Sequence, residues 1–544
     1  MIDQKRSALR QIASGVKPAE KKAAESSQQL FRNSSANELF VAVVGPAGAG
    51  AGTAATALKR FLEEIEIDGH TYEVHIVKAS NVIANWATKS GKTVPARAGR
   101  KSIDDRIAMQ NLGDEFREAA SDNAAVMRGV IQEIRGLRSK ASGLPAGDID
   151  GKPRAFIIDS LRHPAEAHLL RRLYQDAFTL IGVVCEPDQR RKRLLNMLFD
   201  LKDRNKHEVR ESIEKFMDRD SNAPEKHGQH VTDTFHEADF FVDNTLETEN
   251  LDETGMNEAL LRFVDLATGR TIVRPTASET AMNDAHSAQL RSACLSRQVG
   301  AALVDANGNV VSTGTNEVPK FGGGLYGESF DIEGDGQDHR CAFRETKFCS
   351  NNKEQNSIIE ELFKEFPELI DGKNPEEVLA KVRKTRLGGL VEFSRAVHAE
   401  MDAILSAARV GVSPKGCRLF VTTFPCHYCA RHIVSAGISE VQYIEPYPKS
   451  RALALHNDSI TMDSTMALAK NSKGLESDRT TPDKVLFRPF VGVSPRLYRR
   501  SFLKDRDYKD KFTGEFAMGE PQWTVRSTLF TKRYTELEAE LNVE

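Results

Sequence analysis

No uninterrupted run of about 18 apolar residues occurs in this chain, so the sequence offers no membrane-spanning helix. Basic excess is also missing. Lys and Arg total 75 against 78 Asp and Glu, a formal charge of −3, which lacks the footprint of a general nucleic-acid binder but leaves room for a local phosphate pocket. Only two tryptophans are present among 544 residues, little for the stacking platforms that single-stranded nucleic acid uses. The seven cysteines form no paired framework and fit a reducing cytoplasm better than a disulfide scaffold. Met1-Ile2-Asp3-Gln4-Lys5-Arg6 leads into polar, alanine-rich sequence without the apolar core of a secretory signal. A cytoplasmic protein without membrane contact is expected. The length exceeds what one core supports, so two or three domains are predicted.

The densest chemistry lies in His398-Ala399-Glu400 and Pro425-Cys426-His427-Tyr428-Cys429. His398, Cys426 and Cys429 make a mixed nitrogen and sulfur set that suits tetrahedral Zn2+ and leaves a fourth position for water. Bound zinc lowers that water's pKa towards ~7, and Glu400, which is not a ligand, is spaced to take its proton. A purely structural zinc knuckle would want a fourth protein ligand nearby and would have no use for Glu400. Met401 to Ala408 has helix-forming residues and apolar spacing, and Arg418 to Thr423 reads as a strand before a helix over 430–436. Two helix N-termini therefore meet at the metal, where their positive ends favour thiolate and hydroxide. H-x-E followed by P-C-x-x-C is the signature of zinc-dependent deaminases.

A second constellation stands near the N-terminus. The apolar run Leu39 to Val44 breaks into Gly45-Pro46-Ala47-Gly48-Ala49-Gly50-Ala51-Gly52-Thr53, and helix-forming sequence follows. Strand, glycine loop and helix is the context of a phosphate loop. Gly45, Gly48, Gly50, Gly52 and Thr53 are candidate nucleotide-binding residues, and Asp159, ending Phe156-Ile157-Ile158, is a candidate partner for Mg2+ with a bound nucleotide. Ala51 stands where the phosphate-loop lysine belongs, so rapid phosphoryl transfer is not expected. Arg190-Arg191-Lys192-Arg193 reads either as a nucleotide-kinase lid or as a solvated helix face, and Asp159 either as a magnesium ligand or as an ordinary strand end.

Boundaries follow from composition. Residues 1–36 read as a polar tail and 37–246 as a parallel α/β unit with strands near 72–77, 155–158, 179–185 and 240–242. Residues 247–270 read as a linker, 271–510 as a second α/β unit with an insertion over 317–390, and 511–544 as an extension. A hairpin is predicted around Asp305 to Asn309, and 457–484 reads as a polar linker or surface insertion.

Arg274-Pro275-Thr276, Arg291 to Ala301, Thr313-Gly314-Thr315-Asn316, Val397 to Met401 and Cys429 to Ile433 resemble a deoxycytidylate deaminase over about 274–505. The resemblance implies a cytidine-deaminase-like α/β/α domain, free deoxycytidine nucleotides as substrates, Asn316 on the sugar, and the Ala399 backbone reading the pyrimidine edge. Asp402 departs from the asparagine common in that family. Some members that resemble this chain at Cys294 carry a structural zinc, which His339, Cys341 and Cys349 would complete; otherwise these are buried or free thiols. The first half resembles a degenerate P-loop nucleotide kinase. That pairing is similar to bacterial antiphage deaminases that convert dCTP and dCMP to dUTP and dUMP, held in check in some members by an inhibitory RNA. A homo-oligomer is expected.

Four other readings compete. One is a housekeeping dCMP deaminase supplying dUMP for thymidylate synthesis, and another is a bifunctional kinase–deaminase, weakened by Ala51. A nucleic-acid editor is disfavoured by charge and aromatic content, and a sensor with a silent site by the complete active-site set. If the second half folds alone, truncation before Thr271 alters regulation and spares the zinc chemistry.

Overall fold

The computed structural model describes residues 26–67, 70–95, 102–221, 227–245, 255–327, 338–447, 449–463 and 484–519. The strands of its two six-stranded sheets are β1 (Glu38–Val44), β2 (Glu73–Lys78), β3 (Arg154–Asp159), β4 (Phe178–Val184), β5 (Phe240–Asp243), β6 (Gly300–Val304), β7 (Val310–Thr315), β8 (Arg418–Thr423), β9 (Glu440–Glu445), β10 (Ile460–Thr461), β11 (Val485–Pro489) and β12 (Gly492–Val493). The helices that matter below are α1 (Ala51–Glu63), α2 (Ile103–Ala119), α3 (Pro164–Tyr174), α4 (His207–Ser221), α5 (Gly255–Thr268), α6 (Ala277–Gln289), α7 (Ala399–Arg409) and α8 (His427–Ser435).

The first sheet runs β12-β5-β4-β1-β3-β2. Its strands are parallel except for β12, which pairs antiparallel with β5. Continuous apolar sequence puts β1 at the centre, since a strand covered by helices on both faces has no solvent side to populate. Side chains alternate: Phe40, Ala42 and Val44 enter one core, Val41 and Val43 the other. The glycine loop therefore leaves the carboxyl end of the central strand, where open α/β sheets hold their ligands.

The second sheet runs β10-β11-β9-β8-β6-β7, and the predicted hairpin is β6–β7. Helix α6 covers one face through Ala302, Val304 and Phe420, while α7 and α8 cover the other through Ala301, Leu303, Leu419 and Val421. This is the α/β/α layering expected from the sequence.

Three boundaries differ from the sequence reading. The stretch read as a linker, 247–270, contains α5, whose Met256, Leu260, Phe263 and Val264 join the first core; its apolar spacing is that of a buried helix face. Within 457–484, Ile460 and Thr461 pair with Val485 and Leu486 as a sheet edge, and 464–483 lie outside the described residues. The two units also interlock. Met282, Ala285 and Phe490 share one hydrophobic cluster with Phe40, Phe156 and Phe178, and β12, late in the chain, completes the first sheet. Buried Glu279 of α6 ties the junction, accepting from Arg262 at 2.6 Å and from the Val493 N–H at 2.7 Å. Of the tail over 1–36, residues 1–25 lie outside the description, as do 520–544 of the C-terminal extension.

Candidate active site

His398 is the N-cap of α7 and Cys426 the N-cap of α8, so both helices begin at one point. Close packing fixes that point: a Cβ on Gly314 of β7 would lie 2.1 Å from the Ala399 carbonyl oxygen, so only glycine lets β7 approach α7 this closely. The His398 Nδ1 stands 3.4 Å from each of the Cys426 and Cys429 sulfurs, and all three ligating atoms lie within 4.8 Å of one another. Tetrahedral zinc with bonds of about 2.0 Å to nitrogen and 2.3 Å to sulfur separates such atoms by about 3.5 Å. The donor set fits zinc in chemistry and spacing.

Glu400, in the first turn of α7, is almost fully buried beside this cluster. Burial, reinforced by the nearby Cys426, pushes its carboxyl up to about 7, close to even occupancy at neutral pH, where a group gives and takes protons most readily. A hydrogen bond from Cys429 outweighs burial and brings Cys426 down to about 4. The same bond, together with burial, holds Cys429 well above the ordinary thiol range. One thiolate is thus available before any metal arrives.

The cluster opens into a cavity of ≈ 750 Å³. Asn316 lines it but spends its amide on the chain: Oδ1 accepts from the Val299 N–H at 2.6 Å and Nδ2 donates to the Arg297 carbonyl at 2.5 Å. Asp402 accepts from the Thr315 N–H at 3.1 Å. The sequence reading missed the cavity's cationic rim, Arg297, Arg395 and Lys449, and its wall from the first unit, Ser221, Thr232 and His236. Nothing in the local sequence marks these residues; long-range packing brings them there.

Among the described residues, His398, Cys426 and Cys429 form the only close group of three or more such ligands. The expected second set, Cys294, His339, Cys341 and Cys349, is not gathered. The three cysteines are half-buried along the cavity wall. Cys341 faces the Arg395 guanidinium at 3.9 Å, Cys349 faces the Ser296 hydroxyl at 3.3 Å, and His339 packs against Tyr326. A guanidinium in contact with one thiol opposes a bound cation there.

The glycine loop lines a second cavity, of ≈ 1100 Å³, with Asp159 opposite. Gly48 and Gly50 have φ of 83° and 92°, and a Cβ on Gly50 would meet the Asn244 amide nitrogen at 2.2 Å, which explains the glycine there. Gly45, Gly52 and Thr53 also face this cavity, as does Arg193. Sequence reasoning missed Asp220, whose carboxylate accepts from the Ala47 N–H of the loop at 2.7 Å.

Residues 275–445 match the family model for the cytidine and deoxycytidylate deaminase zinc-binding region. A deoxycytidylate deaminase of Enterobacteria phage T4 is 32% identical over 177 residues, covering 32% of this chain and 80% of the phage protein. Among solved structures, a dCMP deaminase from cyanophage S-TIM5 is 17% identical with a TM-score of 0.21, covering 40% of this chain and all of that one. A shikimate kinase from Acinetobacter baumannii is 12% identical with a TM-score of 0.23, covering 45% of this chain and 99% of the kinase.

Proposed function

The chain belongs to the deoxycytidylate deaminase family, and from that premise we propose that it hydrolyses the 4-amino group of deoxycytidine nucleotides. Water adds its oxygen at C4 of the ring, the C4–N4 bond breaks, and ammonia and a deoxyuridine nucleotide leave. The observation that carries this reading is buried Glu400 beside the convergent His398, Cys426 and Cys429. Those three side chains would hold a zinc ion, which when bound would supply Lewis acidity and lower the pKa of a water towards ~7. Glu400 takes the water's first proton and passes it to ring N3, then moves the second, from the hydroxyl formed at C4, to the departing nitrogen, leaving a C4 carbonyl. The start of α7 at Ala399 offers backbone groups to the pyrimidine edge, and Asn316 holds the 297–299 turn against the sugar. Arg297, Arg395 and Lys449 suit the phosphates.

Our finer reading is depletion of dCTP in antiphage defence, with the first unit binding a nucleotide or phosphate as a regulator. The support is a glycine cradle without its lysine, interlocked with a deaminase unit. The phage T4 relative favours the alternative, a dCMP deaminase serving nucleotide supply. Incubation of the zinc-loaded protein with dCMP, dCTP, CMP, CTP and single-stranded DNA, followed by measurement of deaminated product, separates these readings. Turnover of dCTP supports depletion, and turnover of dCMP alone supports supply. Product confined to DNA, or no product at all, would defeat the proposal.

A further inference from the structure

The phosphate cradle contains an anion that belongs to the chain itself. Asp220, 2% exposed near the end of α4, accepts from the Ala47 N–H at 2.7 Å, from Arg162 at 2.8 Å and from the Gln110 amide at 3.4 Å. Backbone N–H groups at a glycine loop are what a ligand's phosphate would use, so its carboxylate takes up part of that anion site. The surrounding cavity of ≈ 1100 Å³ is far larger than one carboxylate needs.

A second observation points to a ligand. Gln110 of α2 lines the same cavity, is 8% exposed, and its Oε1 is buried without a hydrogen-bond partner among the described residues. Its Nε2 is shared between Asp220 and Gln229. A buried acceptor without a donor is costly, and a nucleobase N–H would satisfy it. One cavity thus offers a cradle for phosphates and an amide for a base.

Helix α4 reaches both cavities. Asp218 and Ser221, two residues before Asp220 and one after it, line the cavity of the zinc-ligand cluster. We propose that Asp220 is a built-in competitor for the phosphate cradle, that a nucleoside triphosphate displaces it, and that the displacement alters the deaminase cavity through Asp218 and Ser221. This rests on the proposed reading of the glycine-loop cavity as a nucleotide site. A tethered carboxylate lowers apparent ligand affinity by the fraction of molecules in which it occupies the cradle. Any coupling is reciprocal, so what the ligand does to the deaminase cavity, substrate does to the ligand.

The test uses the full-length, zinc-loaded protein with ATP, GTP and inorganic tripolyphosphate as probes, since none carries a cytosine. Affinity is measured by calorimetry, and dCMP deamination is followed with and without each probe. Asp220→Asn keeps an acceptor but removes the charge. It is expected to bind at least one nucleotide about tenfold or more tightly than wild type, and to shift the probe's effect on deamination to correspondingly lower concentration. Hydrogen exchange on the wild-type protein gives a readout independent of the variant's folding: ATP or GTP should raise exchange in α4 as Asp220 leaves its anchors. Equal or weaker binding by Asp220→Asn, with unchanged exchange in α4, overturns the competitor while leaving the nucleotide-site reading intact. Tighter binding with no effect on deamination overturns the coupling. If neither protein binds any probe, the nucleotide-site reading fails and takes this inference with it.

Discussion

At the scale of single residues, the proposed function assigns holding of zinc to His398, Cys426 and Cys429 and proton transfer to Glu400, and substitution should separate the two. Cys426→Ala removes one of three protein ligands and the thiolate that forms most readily. Its zinc content should fall from about one ion per chain towards none, as measured by metal analysis of purified protein. Retained zinc together with retained turnover would place the metal elsewhere. Glu400→Gln preserves shape but cannot carry a proton. Its kcat should drop by ~10²–10⁴-fold with zinc content unchanged; near-normal turnover would assign proton transfer to another group. Much of this was legible in the sequence, because ligand types and their i, i+3 spacing need no tertiary information. The second cysteine set was not. Cys294, Cys341 and Cys349 do line one cavity, but whether thiols converge depends on backbone paths over some fifty residues, and here Arg395 and Ser296 are their neighbours.

At the scale of elements, helix starts do much of the positioning. His398 and Cys426 cap the helices that aim at the metal, and His163 caps α3, its Nδ1 accepting from the Ala165 N–H at 3.1 Å. That acceptor exists only on the neutral ring. Burial, with Arg117 adding to it, lowers His163 from its ordinary value of 6.5 to about 4. Between those values the unfolded chain binds a proton that the folded chain refuses. Stability from this site is therefore complete above about pH 6.5 and declines as pH falls towards 4. His163→Asn keeps a capping side chain without titrating. The difference in unfolding free energy between wild type and His163→Asn should shift against the wild type as pH falls through that window, read from denaturant melts at several pH values. A difference that stays constant with pH would remove His163 from the acid sensitivity. Strand positions and the β6–β7 hairpin were readable from apolar runs and turn residues. Helix α5 was mistaken for a linker because polar sequence precedes it, and its apolar face gains meaning only against α1 and β5.

At the scale of the whole molecule, the two units are parts of one packed body. Truncation before Thr271 removes most of the first sheet and uncovers Met282, Ala285 and Phe490, and it leaves Glu279 without Arg262. Fully burying one large apolar side chain is worth roughly 1.5–3 kcal/mol, and a domain's total stability is only about 5–15 kcal/mol. The fragment from Thr271 onward is therefore expected to be aggregation-prone or unfolded, and to lack deaminase activity, when examined by size-exclusion chromatography and circular dichroism. This replaces the sequence-based expectation that truncation spares the zinc chemistry. A monodisperse, zinc-binding, active fragment would show that the shared core is dispensable.

The sequence by itself determined the candidate ligand types, the acid near them, the missing phosphate-loop lysine and the α/β class. These are local patterns, written in the spacing of a few residues. Tertiary structure alone decided that β12 closes the first sheet, that Ser221 and His236 of one unit wall the other's cavity, and that Asp220 sits in the glycine cradle. The first joins positions 251 residues apart and the last 173, and such contacts follow from how buried faces pair in three dimensions, which no local pattern specifies.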